Sequence, residues 1–291
     1  MIRAMAAVQR GPIMAIGGAE DKVGDRAILG RFVALAGGPA ARIAILPTAS
    51  NIEGAGQRYK AIFRELGAAS AEVVYVADRA TALDEATAAP IEGATGIFIG
   101  GGTQLRLATL LGGSPIEAAI KARNAAGAIV AGTSAGASIL SRHMVAFGGG
   151  GTAPRQHLAQ LAPGFGLLDG VIVDQHFRER DRIGRLLTLV AMNPGQLGIG
   201  IDEDTAALID AAGTLEVLGR GTVMVVDGQR VTSDIAEHAP PRPINVTGAI
   251  LHALADGARY HLPTRRTLSF AAPAPEEATT RMALVADDGE R

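Results

Sequence analysis

A serine set between two glycines at the end of an apolar run is the first feature of this 291-residue chain that could do chemistry. The segment Ala128-Ile-Val-Ala-Gly-Thr-Ser-Ala-Gly-Ala-Ser138 carries an apolar strand into Gly132-Thr133-Ser134-Ala135-Gly136, and residues 137–144 behind it suit a helix. Small residues let the backbone turn sharply, so that Ser134 projects above the end of a sheet as a nucleophile. A helix starting there would point its first amides, Ala135 among them, at a developing oxyanion. Gly-x-Ser-x-Gly alone is short and arises by chance; the strand before it and the helix-compatible stretch after it raise it above that level.

A serine hydroxyl needs a base to take its proton, and the base needs a group to orient it. Of the six histidines, His143 is read as part of the helix behind the elbow and His157 as part of a polar loop, while His238, His252 and His261 fall late in the chain. His176 ends the apolar run Val171-Ile-Val-Asp-Gln-His176, at the carboxyl edge where α/β proteins place their ligands. A lone histidine is more often structural, but this position makes His176 the candidate base. For the third member, Gly198-Ile-Gly-Ile-Asp-Glu-Asp-Thr205 offers Asp202, Glu203 and Asp204, which sequence does not separate. The alternative for them is a solvated acidic turn. A metal site is the weaker reading, because no histidine stands at ligand spacing, and no metal or cofactor is expected.

Two further features fall at the same edge. Gly100-Gly-Gly102 follows an apolar run and precedes Thr103-Gln104, so the backbone of Gly101 and Gly102 could supply a second oxyanion donor. A phosphate loop is the rival, but neither Gly-x-x-x-x-Gly-Lys-Ser/Thr nor Gly-x-Gly-x-x-Gly after a strand is present. Arg178-Glu-Arg-Asp-Arg-Ile-Gly-Arg185 comes directly after His176. At helical spacing Ile183, Leu186, Leu187 and Val190 face the core, and Arg178, Arg182 and Arg185 share a stripe away from it. Such a stripe is either an exposed face laced by Glu179 and Asp181 or, beside a catalytic histidine, a set of forks for carboxylates.

The elements that must position these residues follow from apolar periodicity. Strands are expected at 13–16, 42–46, 73–76, 96–99, 128–131, 170–174 and 197–201, with helices such as 57–66, 104–111 and 115–126 between them. Near-continuous Val, Ile and Ala strands alternating with helices predict an α/β fold with a mostly parallel sheet flanked by helices on both faces. After Thr205 short antiparallel strands with glycine turns are expected as additions to the sheet edge. Pro240-Pro-Arg-Pro243 reads as a turn or linker. The expected organisation is one hydrolytic domain over 1–270 and a flexible tail over 271–291, which has little to bury.

Composition narrows the function classes. Hydrophobic residues make up 48% of the chain, enough for a sizeable core, and a net charge of −2 gives no general attraction to nucleic acid or anionic membrane. Cysteine is absent, which excludes disulfides and thiolate catalysis. No apolar stretch reaches the roughly 18 residues of a membrane span. The start lacks the pattern of a signal peptide, so a cytoplasmic protein is expected.

The chain resembles the cyanophycinases, a serine peptidase family related in fold to class I glutamine amidotransferases and to peptidase E. The resemblance rests on Gly17-Gly-Ala-Glu20, Gly101-Gly-Thr-Gln-Leu105, Gly132-Thr-Ser-Ala-Gly136, Asp174-Gln-His-Phe-Arg-Glu-Arg-Asp-Arg-Ile-Gly-Arg-Leu186 and Gly200-Ile-Asp-Glu203, and it spans residues 13–266. It implies a three-layer fold, Ser134 as nucleophile, His176 as general base and Glu203 as the acid. It further implies that Gln104, Asp174, Gln175, Arg180, Arg182 and Arg185 bind substrate. The implied substrate is cyanophycin, a poly-aspartate with arginine on each β-carboxyl, cut to β-Asp-Arg dipeptides by a homodimer. An ideal helix turns Arg180 away from the Arg182/Arg185 stripe, so the resemblance asks for a non-helical first turn or for a structural arginine. The loop 146–152 matches the family only loosely. A serine dipeptidase for other aspartyl or isoaspartyl peptides is the alternative on the same scaffold. An ester hydrolase or a non-catalytic binder is disfavoured by the Ser, His, Glu order and by the intact trio.

Overall fold

The computed structural model describes residues 10–237 and 242–270, so the expected tail over 271–291 and the first half of the 240–243 turn lie outside the described residues. Its spine is a nine-stranded sheet. From one edge the strands are Arg266–Ser269, Arg259–His261, Thr214–Gly219, Thr205–Ile209, Ile13–Ile16, Ile129–Thr133, Gly96–Ile99, Arg42–Leu46 and Ser70–Val73. The last five are parallel to one another, and Thr205–Ile209 and the strands beyond it run antiparallel as additions to the edge.

Alternation along each buried strand divides the core between the two faces. Met14 and Ile16 pack with Phe32, Tyr59, Phe63 and Phe98 beneath helices Ala27–Leu35 and Ala55–Glu65. Ile13 and Ala15 belong to the other face, which includes Leu107, Leu111, Ile116 and Ile120 of helices Gln104–Leu111 and Pro115–Ala125. That gives the three-layer α/β fold the sequence predicts.

Two expected strands of the main sheet lie elsewhere. Val171–Gln175 and Leu197–Ile201 pair in parallel with each other, and with Val223–Asp227 and Ile250–Leu254 they form a separate four-stranded sheet. Its inner side, through Val173, Ile199 and Val225, joins the core over the second face of the main sheet. Helix Ile183–Met192 covers its outer side through Leu186, Leu189 and Val190. Apolar runs alternating with helices fix that strands are parallel and buried; which strands they pair with is a non-local matter that periodicity does not carry.

A second correction concerns the segment behind the elbow. The helix there is a single turn, Ala135–Ser138, and His143 opens the strand His143–Gly148 instead of closing a helix. Strand His143–Gly148 pairs with Ala159–Pro163, which draws the chain away from the helical path. No helix among the described residues is long and apolar enough to cross a membrane.

Candidate active site

The two sheets meet where their carboxyl ends face one another, and each contributes part of the site. Ser134 follows Ile129–Thr133 in the centre of the main sheet, and His176 follows Val171–Gln175 in the small one. Residues 202–204 carry the chain from the end of Leu197–Ile201 into the start of Thr205–Ile209, so they form the seam between the sheets.

Ser134 has φ 52° and ψ −113°, a conformation a serine holds only where its surroundings impose it. Its N–H is tied to Ile16 O at 3.0 Å, and its carbonyl accepts from Ala137 N–H at 2.9 Å. A Cβ on Gly132 would come within 2.0 Å of Gly136 O, so the turn closes only around glycine. Below the turn, Thr133 Oγ1 donates to Glu20 Oε2 at 2.6 Å. Glu20 Oε1 accepts from the Tyr59 hydroxyl and from Lys22 Nζ at 2.9 Å. Burial, and then the Glu20 charge, push the Tyr59 hydroxyl well above its ordinary pKa, so Tyr59 remains a donor. Glu20 and Thr133 are both buried. Neither residue stands out by type or spacing, although Gly17-Gly-Ala-Glu20 follows a strand that ends at the same edge.

Ser134 Oγ lies 2.9 Å from His176 Nε2, and His176 Nδ1 lies 2.5 Å from Glu203 Oε1. A carboxylate only accepts, so Nδ1 carries the proton and Nε2 is left to accept from the serine. Gly18 (φ 102°) lies against the imidazole: a Cβ there would fall 2.3 Å from His176 Cε1. The His176 N–H donates to Gly17 O at 2.8 Å. Burial lowers the His176 pKa from its ordinary value, and the positive charges of Arg180 and Arg182 add to that, outweighing the upward pull of Glu203. The imidazole is therefore neutral near pH 7 and ready to take a proton.

The geometry separates the three acids that sequence leaves open. Asp202 is buried and accepts from the Arg178 N–H at 3.1 Å and from Thr222 N–H and Oγ1 at 2.9 and 2.8 Å. Asp204 accepts from the Asp21 N–H at 2.7 Å and pairs with Arg220 at 2.5 Å. Glu203 alone reaches the histidine. Its own N–H donates to Glu179 Oε2 at 3.1 Å, a supporting contact between segments 24 residues apart that no local pattern signals.

The arginine block differs from the expected stripe. Residues 177–181 form turns, Asp181 has φ 49°, and the helix begins only at Ile183. The first turn is thus not helical, which resolves the conflict over Arg180. Arg182 and Arg185 are buried instead of facing outward, because the fully buried Asp174 carboxylate draws both inward. Arg185 grips Asp174 with two nitrogens, Nε at 2.6 Å from Oδ2, and its Nη1 donates to Gly148 O at 3.0 Å. Arg182 Nη1 donates to Gln175 Oε1 at 3.1 Å and lies 3.4 Å from Asp174 Oδ1. Burial lowers the Arg182 pKa to about 10, with Asp174 opposing the shift, so it stays charged. Arg180 is exposed and has no ion-pair partner among the described residues. Gln104 Nε2 donates to Val145 O and Ala146 O at 3.0 and 2.7 Å, which joins the expected binding glutamine to the strand leading into the glycine-rich loop. Gly101 lies beside Ser134, where a Cβ would come within 3.1 Å of the serine Cβ. The N–H groups of Gly101 and Gly102 find no partner among the described residues.

Residues 13–216 match peptidase family S51. The chain belongs to that family. This S51 peptidase is 44% identical over 260 residues to a cyanophycinase of Synechococcus elongatus, covering 88% of this chain and 81% of that one. It is 42% identical over 263 residues to a cyanophycinase of Geminocystis herdmanii, covering 89% and 97% respectively. In fold it is similar to the crystal structure of a peptidase from an acI-B1 Actinobacterium, with a TM-score of 0.61 at 22% identity over 84% of this chain and 98% of that one. The S51 chain is a serine peptidase, as the elbow and the resemblance lead one to expect.

Proposed function

We propose that this peptidase degrades cyanophycin through an acyl-enzyme on Ser134. The observation that carries the reading is the continuous chain Ser134–His176–Glu203, at 2.9 and 2.5 Å, in a protein 42–44% identical to cyanophycinases over most of its length. As Ser134 Oγ attacks the carbonyl carbon of an Asp–Asp backbone amide, its proton passes to His176 Nε2, and Glu203 stabilises the imidazolium that forms. The carbonyl oxygen takes up the negative charge, and the N–H groups of Gly101, Gly102 and Ala135 are the donors available to it. Collapse breaks the C–N bond, and His176 returns the proton to the leaving amine. Water, deprotonated by the same histidine, then hydrolyses the ester and releases a β-Asp-Arg dipeptide.

In this reading Arg180 meets a substrate carboxylate directly. Asp174, Gln175, Arg182 and Arg185 form the charged wall that holds it, with Gln104 at the edge of the same wall. Action in the cytoplasm as a homodimer is the expectation that accompanies the resemblance.

The test is incubation of insoluble cyanophycin with wild type and Ser134→Ala, with the products read by mass spectrometry. The expected result is β-Asp-Arg from wild type and a loss of about a millionfold in turnover in the variant. Full activity in Ser134→Ala overturns the nucleophile. Absence of β-Asp-Arg from the wild-type reaction removes the polymer as substrate, and hydrolysis of isoaspartyl dipeptides would then support the related dipeptidase.

A further inference from the structure

On the flank of Ser134 away from the arginine turn, a cavity of about 320 Å³ opens between residues 19–22 and helix Ala55–Glu65. Gly100, Gly101, Thr133 and Ser134 form its inner wall, and Pro47, Ile52 and Ala55 give it apolar sides. Asp174, Gln175, Arg180, Arg182 and Arg185 do not line it. Its volume suits a single substrate side group, at the low end of the range of small-molecule sites.

Its charge is unbalanced. Both oxygens of Glu20 are already engaged, by Thr133 on one side and by Tyr59 and Lys22 on the other. Lys22 Nζ also donates to Glu20 O at 3.1 Å and lies 5.4 Å from the centre of the Tyr59 ring, so the lysine is held over the cavity floor. These two charges offset each other. Arg58, on the helix wall, is exposed and has no side-chain hydrogen bond or ion pair among the described residues. A guanidinium left over at the rim of an otherwise neutral, apolar-sided cavity suits a carboxylate carried on a short stem.

We infer that this cavity is a second substrate subsite, in which Arg58 binds a carboxylate carried by a residue next to the scissile amide while Pro47, Ile52 and Ala55 cover its stem. The inference deepens the peptidase reading and rests on Ser134 being the nucleophile. Discrimination is then two-sided: Arg180 recognises one acidic group on the histidine side, and Arg58 recognises another on the opposite side.

The subsite is tested without the polymer by the rate at which Ser134 is sulfonylated, read as intact mass. The anionic probe is para-fluorosulfonylbenzoate, and neutral phenylmethylsulfonyl fluoride is the reference. Arg58→Glu is expected to lower the anionic-to-neutral rate ratio about tenfold or more. Arg230→Glu reverses an exposed charge beyond strand Val223–Asp227, at the end of the small sheet away from the site, and should leave the ratio unchanged. Matching wild-type melting temperatures identify both variants as folded, as the exposure of both arginines leads one to expect. An unchanged ratio in Arg58→Glu overturns the subsite, as does an equal fall in both variants, which would mark general electrostatic attraction. No labelling by either probe overturns nucleophile and subsite together. Ratio-selective labelling by an enzyme that leaves cyanophycin intact sinks only the polymer reading.

Discussion

The two halves of the site are held in place by different physics. On the serine side the device is backbone geometry: a strained φ at Ser134, glycine contacts that admit no Cβ, and a neutralised Glu20–Thr133–Tyr59 cluster under the turn. On the histidine side it is charge: His176 follows a strand whose Asp174 is clamped by two buried arginines, and Glu203 is braced by Glu179. A nucleophile must project from one fixed point, which covalent geometry secures. A base must also hold one tautomer and a suitable pKa, which burial and neighbouring charges set together.

Glu203→Gln tests that contrast most strongly. It keeps the shape but removes the charge that stabilises the imidazolium and can favour the wrong tautomer, so turnover should fall about ten-thousandfold with stability nearly unchanged. Turnover within tenfold of wild type would remove Glu203 from the relay. Asp174→Asn acts on the same side but through folding. It leaves Arg182 and Arg185 buried without their countercharge, and should cost about 3–5 kcal/mol of unfolding free energy, read from the fall in the denaturant midpoint. An unchanged midpoint would mean that the arginines are held by their carbonyl contacts alone.

The serine side was the more legible of the two in sequence, because its signals are local. An apolar strand followed by Gly-Thr-Ser-Ala-Gly specifies a turn from neighbouring residues only, and the one feature misread there, the length of the following helix, depends on the strand pairing of 143–148 with 159–163. The histidine side is built from distant segments. The arginine stripe presupposes a helix starting at Arg178, whereas Asp174 pulls Arg182 and Arg185 into the core and the helix starts at Ile183. Periodicity assigns faces once a helix exists and says nothing of a buried carboxylate that rearranges its first turn. Glu203 emerged from its acidic neighbours by family resemblance, and its geometry depends on the seam between two sheets whose separation no periodicity reveals. The Arg58 cavity was invisible for the same reason, since its walls come from four stretches of chain.

Thr133→Val sharpens the comparison from the serine side. It is nearly isosteric and leaves one oxygen of the buried Glu20 without its 2.6 Å donor, at a cost of about 1–3 kcal/mol in stability. If the elbow is held chiefly by backbone geometry, kcat should fall far less than in Glu203→Gln. A fall as large would show that the Glu20 cluster sets the serine as firmly as charge sets the histidine.

The smallest effect, and the most diagnostic of charge, is expected from Arg180→Gln. His176 must be neutral to accept the serine proton, so kcat/KM should decline as pH falls through its pKa, which lies below the ordinary imidazole value. Burial is the main cause of that lowering, and the substitution leaves burial largely intact. Removing the Arg180 charge takes away one contribution of the same sign, so the pKa rises and the acid limb moves to higher pH. The shift should shrink as salt is added, because Arg180 is exposed and its field is screened. Loss of the proposed carboxylate contact would raise KM at every pH without moving the limb, so the two roles proposed for Arg180 are read from one pH series. A limb that stays in place, or moves to lower pH, would show that the Arg180 charge takes no part in tuning the histidine.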